Sequence, residues 1–462
     1  MQNDGRNPSL PIEKVRSWVI DVEEKLASRS LSVLSQEEVQ WRKPSIFRLP
    51  YFVRKMKSEI FSPQVVALGP FHHHQHHLRP LEPHKERALL HFLERTGKPL
   101  GEFLRAMEAA VVELQESYYG LDDQEWKDAD NFIKLMITDG CFMLEVMRLG
   151  TEHGGDYAPS DPFFGPHASQ RKVPYIKRDM LIIENQVPLL ALKKLVAVEN
   201  DLSEKEAEME ITELFLRFFV PKIYGDQEAR REFKLTVHGL HILDLYRRSK
   251  LFIPSKFSSR SSAKVPPSAP EKPPSFEFAI MRPAVDLHEA GVKFHCSPTH
   301  ALTAVHFDRQ RGLLSLPLLT VDDTTEFEFL NMVALEHLHP DSGGEISSFV
   351  VFMDALVDSA KDVRLLHGHG ILFNGFGRDK DLAGLFNSMS KEVIMDQGGS
   401  LGYVQREAEI YCRRRWNNWR ANFVHTYLTN PWTAFSFAAA AAVILLTAAG
   451  TVFSALQWKQ SL

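Results

Sequence analysis

The run from Ala434 to Leu456 constrains this chain most. It reads AFSFAAAAAVILLTAAGTVFSAL, 23 residues without a charged side chain. As a helix it spans about 35 Å, enough to cross a hydrocarbon core of about 30 Å with some tilt. Tyr427 and Trp432 precede it, and Trp458 and Lys459 follow it, the residue types that membrane interfaces favour. A core helix rarely runs so long without a charge. The expectation is therefore a transmembrane helix over 434–456, with Trp432, Ala434 and Leu456 marking the anchor. A buried or interfacial helix is the alternative, because alanine inserts less strongly than leucine. Arg413, Arg414, Arg415 and Arg420 lie before the run and only Lys459 after it. The positive-inside rule then puts a large body in the cytosol, on a single-pass tail anchor, with the plasma membrane favoured. The first ten residues, MQNDGRNPSL, contain no apolar stretch of the kind a signal peptide needs. No Asn-X-Ser/Thr sequon occurs, since Asn7-Pro8-Ser9 carries proline at its middle position.

The 462 residues suffice for two ordinary domains. With 54 basic and 59 acidic residues the net charge is −5, which argues against a nucleic-acid partner. Three widely spaced cysteines, Cys141, Cys296 and Cys412, exclude a disulfide framework and fit a reducing compartment.

Along the chain, apolar residues recur at helical spacing, so the fold class is mainly α. An amphipathic helix over 11–27, with Ile12, Val15, Val19, Val22 and Leu26 as its stripe, is expected to dock on the body and to bury Trp18. With its polar linker it makes up residues 1–45. The first part of the body, 46–253, starts with a strand-like run at Pro63–Pro70. Helices then begin near Leu81, at Leu100–Tyr119, Glu125–Leu149, around Asp179, at Glu204–Val220 and at His238–Ser249. Pro188 breaks the helix around Asp179 near Gln186. Residues 254–276 have the Ser/Pro/Lys composition of a linker. The second part, 277–429, opens with strands at Gly291–Phe294 and Gly312–Val321, read as a small antiparallel β element. Helices follow at Glu326–His337, Ser347–Leu366, Asp379–Val393 and, basic and long, Tyr403–Tyr427. Residues 457–462 form a short tail.

His72, His73, His74, His76 and His77 could chelate a metal, yet consecutive loop residues rarely converge on one ion, so a solvated loop is the first reading. Gly398-Gly399-Ser400-Leu401-Gly402 matches a nucleophile elbow in letters only, because a helix rather than a strand precedes it. Glu184, Asn185 and Gln186 interrupt an apolar run, and Asp139 lies within another. Buried, such groups need partners, and Lys85 or Arg87 could meet the acids. Asp179 is placed to cap a helix start. A polar network that fixes packing is the main reading. Acid–base chemistry by Asp179 and Glu184 is the alternative.

Several stretches resemble the domain of unknown function 247 family of plants. They are Ile46-Phe47-Arg48-Leu49-Pro50, the run from Pro63 to His73, His84-Lys85-Glu86-Arg87 and Asp139-Gly140-Cys141-Phe142. The list continues with Arg178 to Pro188, including Glu184-Asn185-Gln186-Val187-Pro188, then Glu289 to Phe294, and Asn430-Pro431-Trp432 with its apolar tail. The resemblance implies a single-span membrane protein with a mostly helical body and no established enzymatic activity. It implies no cofactor, and some grass members are implicated in recognition between pollen and stigma. The extended histidine run and the Ser/Pro-rich insert depart from the family pattern. The expected function is a membrane-anchored interaction, recognition or signalling protein, bound to lipid through its span and to an unidentified protein partner. A metal-handling role for His72–His77 stands beside the enzyme alternative.

Overall fold

In the computed structural model the described residues are 12–27, 41–121, 123–149, 157–257, 281–391, 393, 399–414 and 439–452. The Ala129–Arg148 helix runs through the centre of the first part of the chain. From Phe132 to Arg148 nearly every side chain is buried, so polar residues on it must be satisfied internally. Around it pack Glu82–Thr96, Leu100–Glu108, Val111–Glu116, Leu189–Asn200 and Glu204–Phe219. Gly140 makes one of these approaches close: a Cβ there would lie 2.5 Å from Leu195 Cδ1.

The Ile242–Leu251 helix joins this group to the second part by packing on Thr325–Leu338. Glu345–Leu356, Ala360–Gly368, Asp379–Ser390 and Ser400–Cys412 complete the second group. Glu336, on the Thr325–Leu338 helix, accepts from the Ile346 and Ser347 N–H groups (2.9 and 2.8 Å), satisfying the first turn of Glu345–Leu356. One hydrophobic cluster runs from Ile46 to Cys412 and draws on both parts.

Among the described residues seven short strands make three small sheets. β1 (Ile46–Phe47) pairs parallel with β2 (Tyr118–Tyr119). β3 (Lys293–Ser297) pairs parallel with β5 (Leu313–Pro317), and β4 (His306–Asp308) pairs antiparallel with β5. β6 (Leu319–Val321) pairs parallel with β7 (Leu372–Asn374). The chain is mainly helical as the sequence suggests, but the antiparallel reading of the β element holds only for β4 and β5. The expected strand Gly312–Val321 is divided between β5 and β6, which lie in different sheets, and β3 and β5 run parallel, since the segment between them is long enough to cross over and to supply β4.

Other expectations change as well. The Leu100–Tyr119 stretch is two helices followed by β2. Glu125–Leu149 is split at Asp128, whose carboxylate caps the second helix by accepting from Asn131 N–H (3.0 Å). Ser347–Leu366 is split before Ser359, which caps Ala360–Gly368 in a capping box with Asp362. No helix starts at Asp179: it ends the Pro166–Asp179 helix, and residues 180–188 are turns leading to Leu189–Asn200. On the Ile12–Ala27 helix Trp18 is 63% exposed, and of its stripe Val19 and Leu26 stand 40% and 60% exposed.

Within the expected span, residues 439–452 form a helix whose aliphatic side chains stand 59% (Val452) to 73% (Leu446) exposed. Among the described residues no helix is both long and apolar enough to cross a membrane. Trp432, Ala434, Leu456, the 457–462 tail and residues 258–276 of the expected linker lie outside the described residues.

Candidate functional site

The residues between Pro63 and Pro70 have a strand's composition but, among the described residues, no strand pairs with them. Their backbone groups need partners all the same, and buried side chains supply them. Asp179 accepts from the N–H groups of Gln64 (3.0 Å), Val65 (2.6 Å) and Val66 (3.0 Å). Asn185 mimics a neighbouring strand: its Oδ1 accepts from Leu68 N–H (2.7 Å) and its Nδ2 donates to Val66 C=O (3.0 Å). Asp139 Oδ2 accepts from Gly69 N–H (2.8 Å). Gly69 has φ +69°, and a Cβ there would lie 2.6 Å from Gln186 O and 2.9 Å from the Tyr118 hydroxyl. Only glycine meets both conditions.

Asp139 also ties the loop to the Glu82–Thr96 helix. Its Oδ1 accepts from Lys85 Nζ (2.7 Å), and Glu82 lies 2.8 Å from the same ammonium. Lys85 is fully buried. Burial disfavours its charged form, but the Asp139 and Glu82 carboxylates outweigh this and raise its pKa. Arg87 goes elsewhere, to Asp161.

Glu184 and Gln186 hold the other side of the 178–188 connector. Glu184 accepts from Leu49 N–H (2.7 Å) and from Arg54, and His72 Nε2 stands 3.5 Å from it. Burial raises the Glu184 carboxyl, yet His72, the Leu49 N–H and Arg54 together bring it below its ordinary value. For Asp179, burial wins over the three N–H donors and lifts its pKa. Gln186 Nε2 donates to the carbonyls of Met180 (2.8 Å) and Ile182 (2.7 Å), and its Oε1 accepts from Leu243 N–H (3.1 Å). Tyr118 donates to the Gln186 carbonyl (2.9 Å). Pro188 precedes the Leu189–Asn200 helix with φ −55° and ψ 137°.

Asp139, Asp179, Glu184 and Asn185 therefore all bond the Leu49–Gly69 segment, whereas the Gln186 side chain bonds its own connector and Leu243 N–H. Sequence reasoning missed Asn331, fully buried, whose Oδ1 accepts from Ile183 N–H (3.0 Å) and whose Nδ2 donates to Phe327 C=O (3.0 Å). A lone amide in the apolar stretch FEFLNMVAL was the available signal.

It also missed His241. Nδ1 accepts from Asp244 N–H (3.3 Å), so Nε2–H donates to Ser45 C=O (3.0 Å), and the ring is neutral. Burial pushes its pKa down from 6.5 to about 4. The native state thus releases this proton more readily than the unfolded chain. The contribution to stability is complete above pH 6.5 and is lost as the pH falls from there towards 4. At about 1.4 kcal/mol per pH unit, roughly 2 kcal/mol should be gone by pH 5. Urea midpoints at pH 7 and pH 5 check this: the wild type should lose more stability on acidification than His241→Gln.

The five histidines of the cluster diverge. His72 is buried, with Nδ1 accepting from Gln75 Nε2 (2.6 Å). His73 and His74 pack on Trp126, with ring centroids 5.1 and 5.7 Å away, and His74 reaches Glu125 (3.1 Å). His77 donates to Pro63 C=O (3.1 Å), and His76 is exposed. Among the described residues no group of three or more His, Cys, Asp or Glu could hold a metal ion.

The geometry defines a mainly helical protein with a buried polar lock, in which acidic and amide side chains pin distant backbone. The DUF247 family, plant proteins of unknown function, matches residues 46–446. The chain belongs to that family. It is 29% identical to UPF0481 protein At3g47200 of Arabidopsis thaliana over 420 residues, covering 87% of this chain and 84% of that protein. It is 22% identical to Putative UPF0481 protein At3g02645 of the same plant over 514 residues, covering 93% of each. No solved structure matches the chain.

Proposed function

We propose that this chain is a membrane-anchored interaction protein whose helical body serves recognition or signalling in the cytosol. The helix over 439–452 carries the reading. Val443, Ile444, Leu445, Leu446 and Val452 are all well over half exposed, so the helix is apolar without a protected face. Burying one such side chain is worth about 1.5–3 kcal/mol, and an uncovered patch of this kind marks a lipid or protein contact. The uncharged run continues to Ala434 and Leu456, long enough in sequence for a single span, and the arginines before it favour a cytosolic body.

The acid–base and metal readings gain no support. Asp179 and Glu184 accept from backbone N–H groups and Glu184 also from Arg54, and the histidines do not converge on one point. An unidentified protein bound by the body, with lipid around the anchor, remains the reading. Expression in plant cells tests it. The full chain should stay in membranes through an alkaline carbonate wash, and a truncation ending before Asn430 should be released. External protease should digest the body in vesicles whose cytosolic face is outward. Release of the full chain by carbonate overturns the anchor, and a protected body overturns the orientation. Proximity labelling from the body should recover a reproducible protein neighbour.

A further inference from the structure

We propose that the Ile12–Ala27 helix pairs antiparallel with the same helix of a second copy of this chain. This goes beyond the anchor and does not depend on it. Trp18, Val19, Ile20 and Leu26 are 40% exposed or more, so the described residues leave these side chains uncovered. Ile12, Val15, Val19, Val22 and Leu26 stand three, four, three and four residues apart. That spacing fits the a/d seam of a coiled coil, which a second helix of the same pattern would fill.

The helix carries three basic and four acidic residues, a balance that gives an anionic lipid surface no pull. With Ile12 as position a, the e positions are Arg16 and Glu23, and the g positions are Trp18 and Lys25. In an antiparallel pair e flanks e and g flanks g. Arg16 then falls beside the partner's Glu23, and Trp18 beside the partner's Lys25, an ion pair and a cation–π pair, each formed twice. In a parallel pair g flanks the following e. Trp18 would then meet an acidic residue, and Lys25 would have no e position to face within the helix. The sequence of this one helix is thus complementary to itself in the antiparallel sense. Two heptads make a weak seam by themselves, so association should depend on concentration.

Disulfide trapping of the full chain in detergent tests the arrangement. Cys141 and Cys412 are buried, and Cys296→Ser removes the remaining, partly exposed thiol. In that background Val19→Cys and Val22→Cys are made separately, with different tags, and oxidised alone and mixed. Antiparallel pairing places Val19 of one copy beside Val22 of the other, so the mixture should cross-link severalfold better than either alone. Adding Leu26→Asp to both should abolish the product while leaving the urea midpoint of the body unchanged. Efficient cross-linking of each variant with itself would mean a parallel pair and overturn the proposal. Equal, negligible cross-linking in all three samples would mean that lipid, detergent or another protein covers the helix, and would overturn it too. Because the chain is held in detergent, loss of the membrane anchor as a reading leaves this result unaffected.

Discussion

Asp179→Ala should cost the body about 3–5 kcal/mol, a large part of the stability of an ordinary domain. The wild-type carboxylate takes three backbone donors, from Gln64, Val65 and Val66. The carboxylate is completely buried and so is Val66, while Val65 is half-buried and Gln64 exposed, so the donors left behind regain water only in part. Each buried orphan is worth about 1–3 kcal/mol, and entry of water or local relaxation recovers some of the sum. Asp179→Asn keeps one acceptor oxygen in place and removes a charge that burial already disfavours, so it should cost roughly half as much. Urea unfolding followed by circular dichroism measures both. A wild-type midpoint for Asp179→Ala would show that the carboxylate is not structural, and the chemical reading of this residue would then regain its place.

The same carboxylate marks how far the sequence could be read. That Asp139, Asp179, Glu184, Asn185 and Gln186 belong to a buried polar network follows from charged and amide groups interrupting apolar runs. Which groups they meet does not follow. Periodicity describes a segment against its own axis, whereas Asp179 bonds residues more than a hundred positions earlier. Asp179 looked like a cap for the residues after it because a helix was expected there. In the fold the helix ends at Asp179, and the carboxylate satisfies another segment. Pro63–Pro70 read as a strand for a related reason: it is extended and apolar, but side chains occupy the places a neighbouring strand would take. The splits at Asp128 and Ser359 were legible as capping residues and were overridden by the continuous apolar stripe. The parallel pairing of β3 with β5 was not legible, because local composition is the same for either direction. The N-terminal helix shows a stripe in sequence, but periodicity does not say what covers it, and Val19 and Leu26 stand exposed.

Lys85→Met should be as damaging as Asp179→Ala, about 3–5 kcal/mol, because it leaves the Asp139 carboxylate buried without its cation. Size cannot account for such a loss, since methionine fills much of the same volume. Asp139→Asn should be milder, near 1–2 kcal/mol, because the amide oxygen still accepts from Gly69 N–H and Lys85 retains Glu82. Combining the two should cost less than the sum of the single changes, since the double variant does not contain the stranded carboxylate that dominates the cost of Lys85→Met alone. A coupling of at least about 1 kcal/mol in the double-mutant cycle is the expected result, read from urea midpoints of the three variants and the wild type. Strict additivity would mean that the 2.7 Å contact carries no energy of its own. The anchoring of the Gly69 turn to the Glu82–Thr96 helix would then rest on apolar packing alone. A positive coupling instead makes Lys85 part of the lock, joining the Glu82–Thr96 helix through Asp139 to the loop that Asp179 and Asn185 hold from the other side.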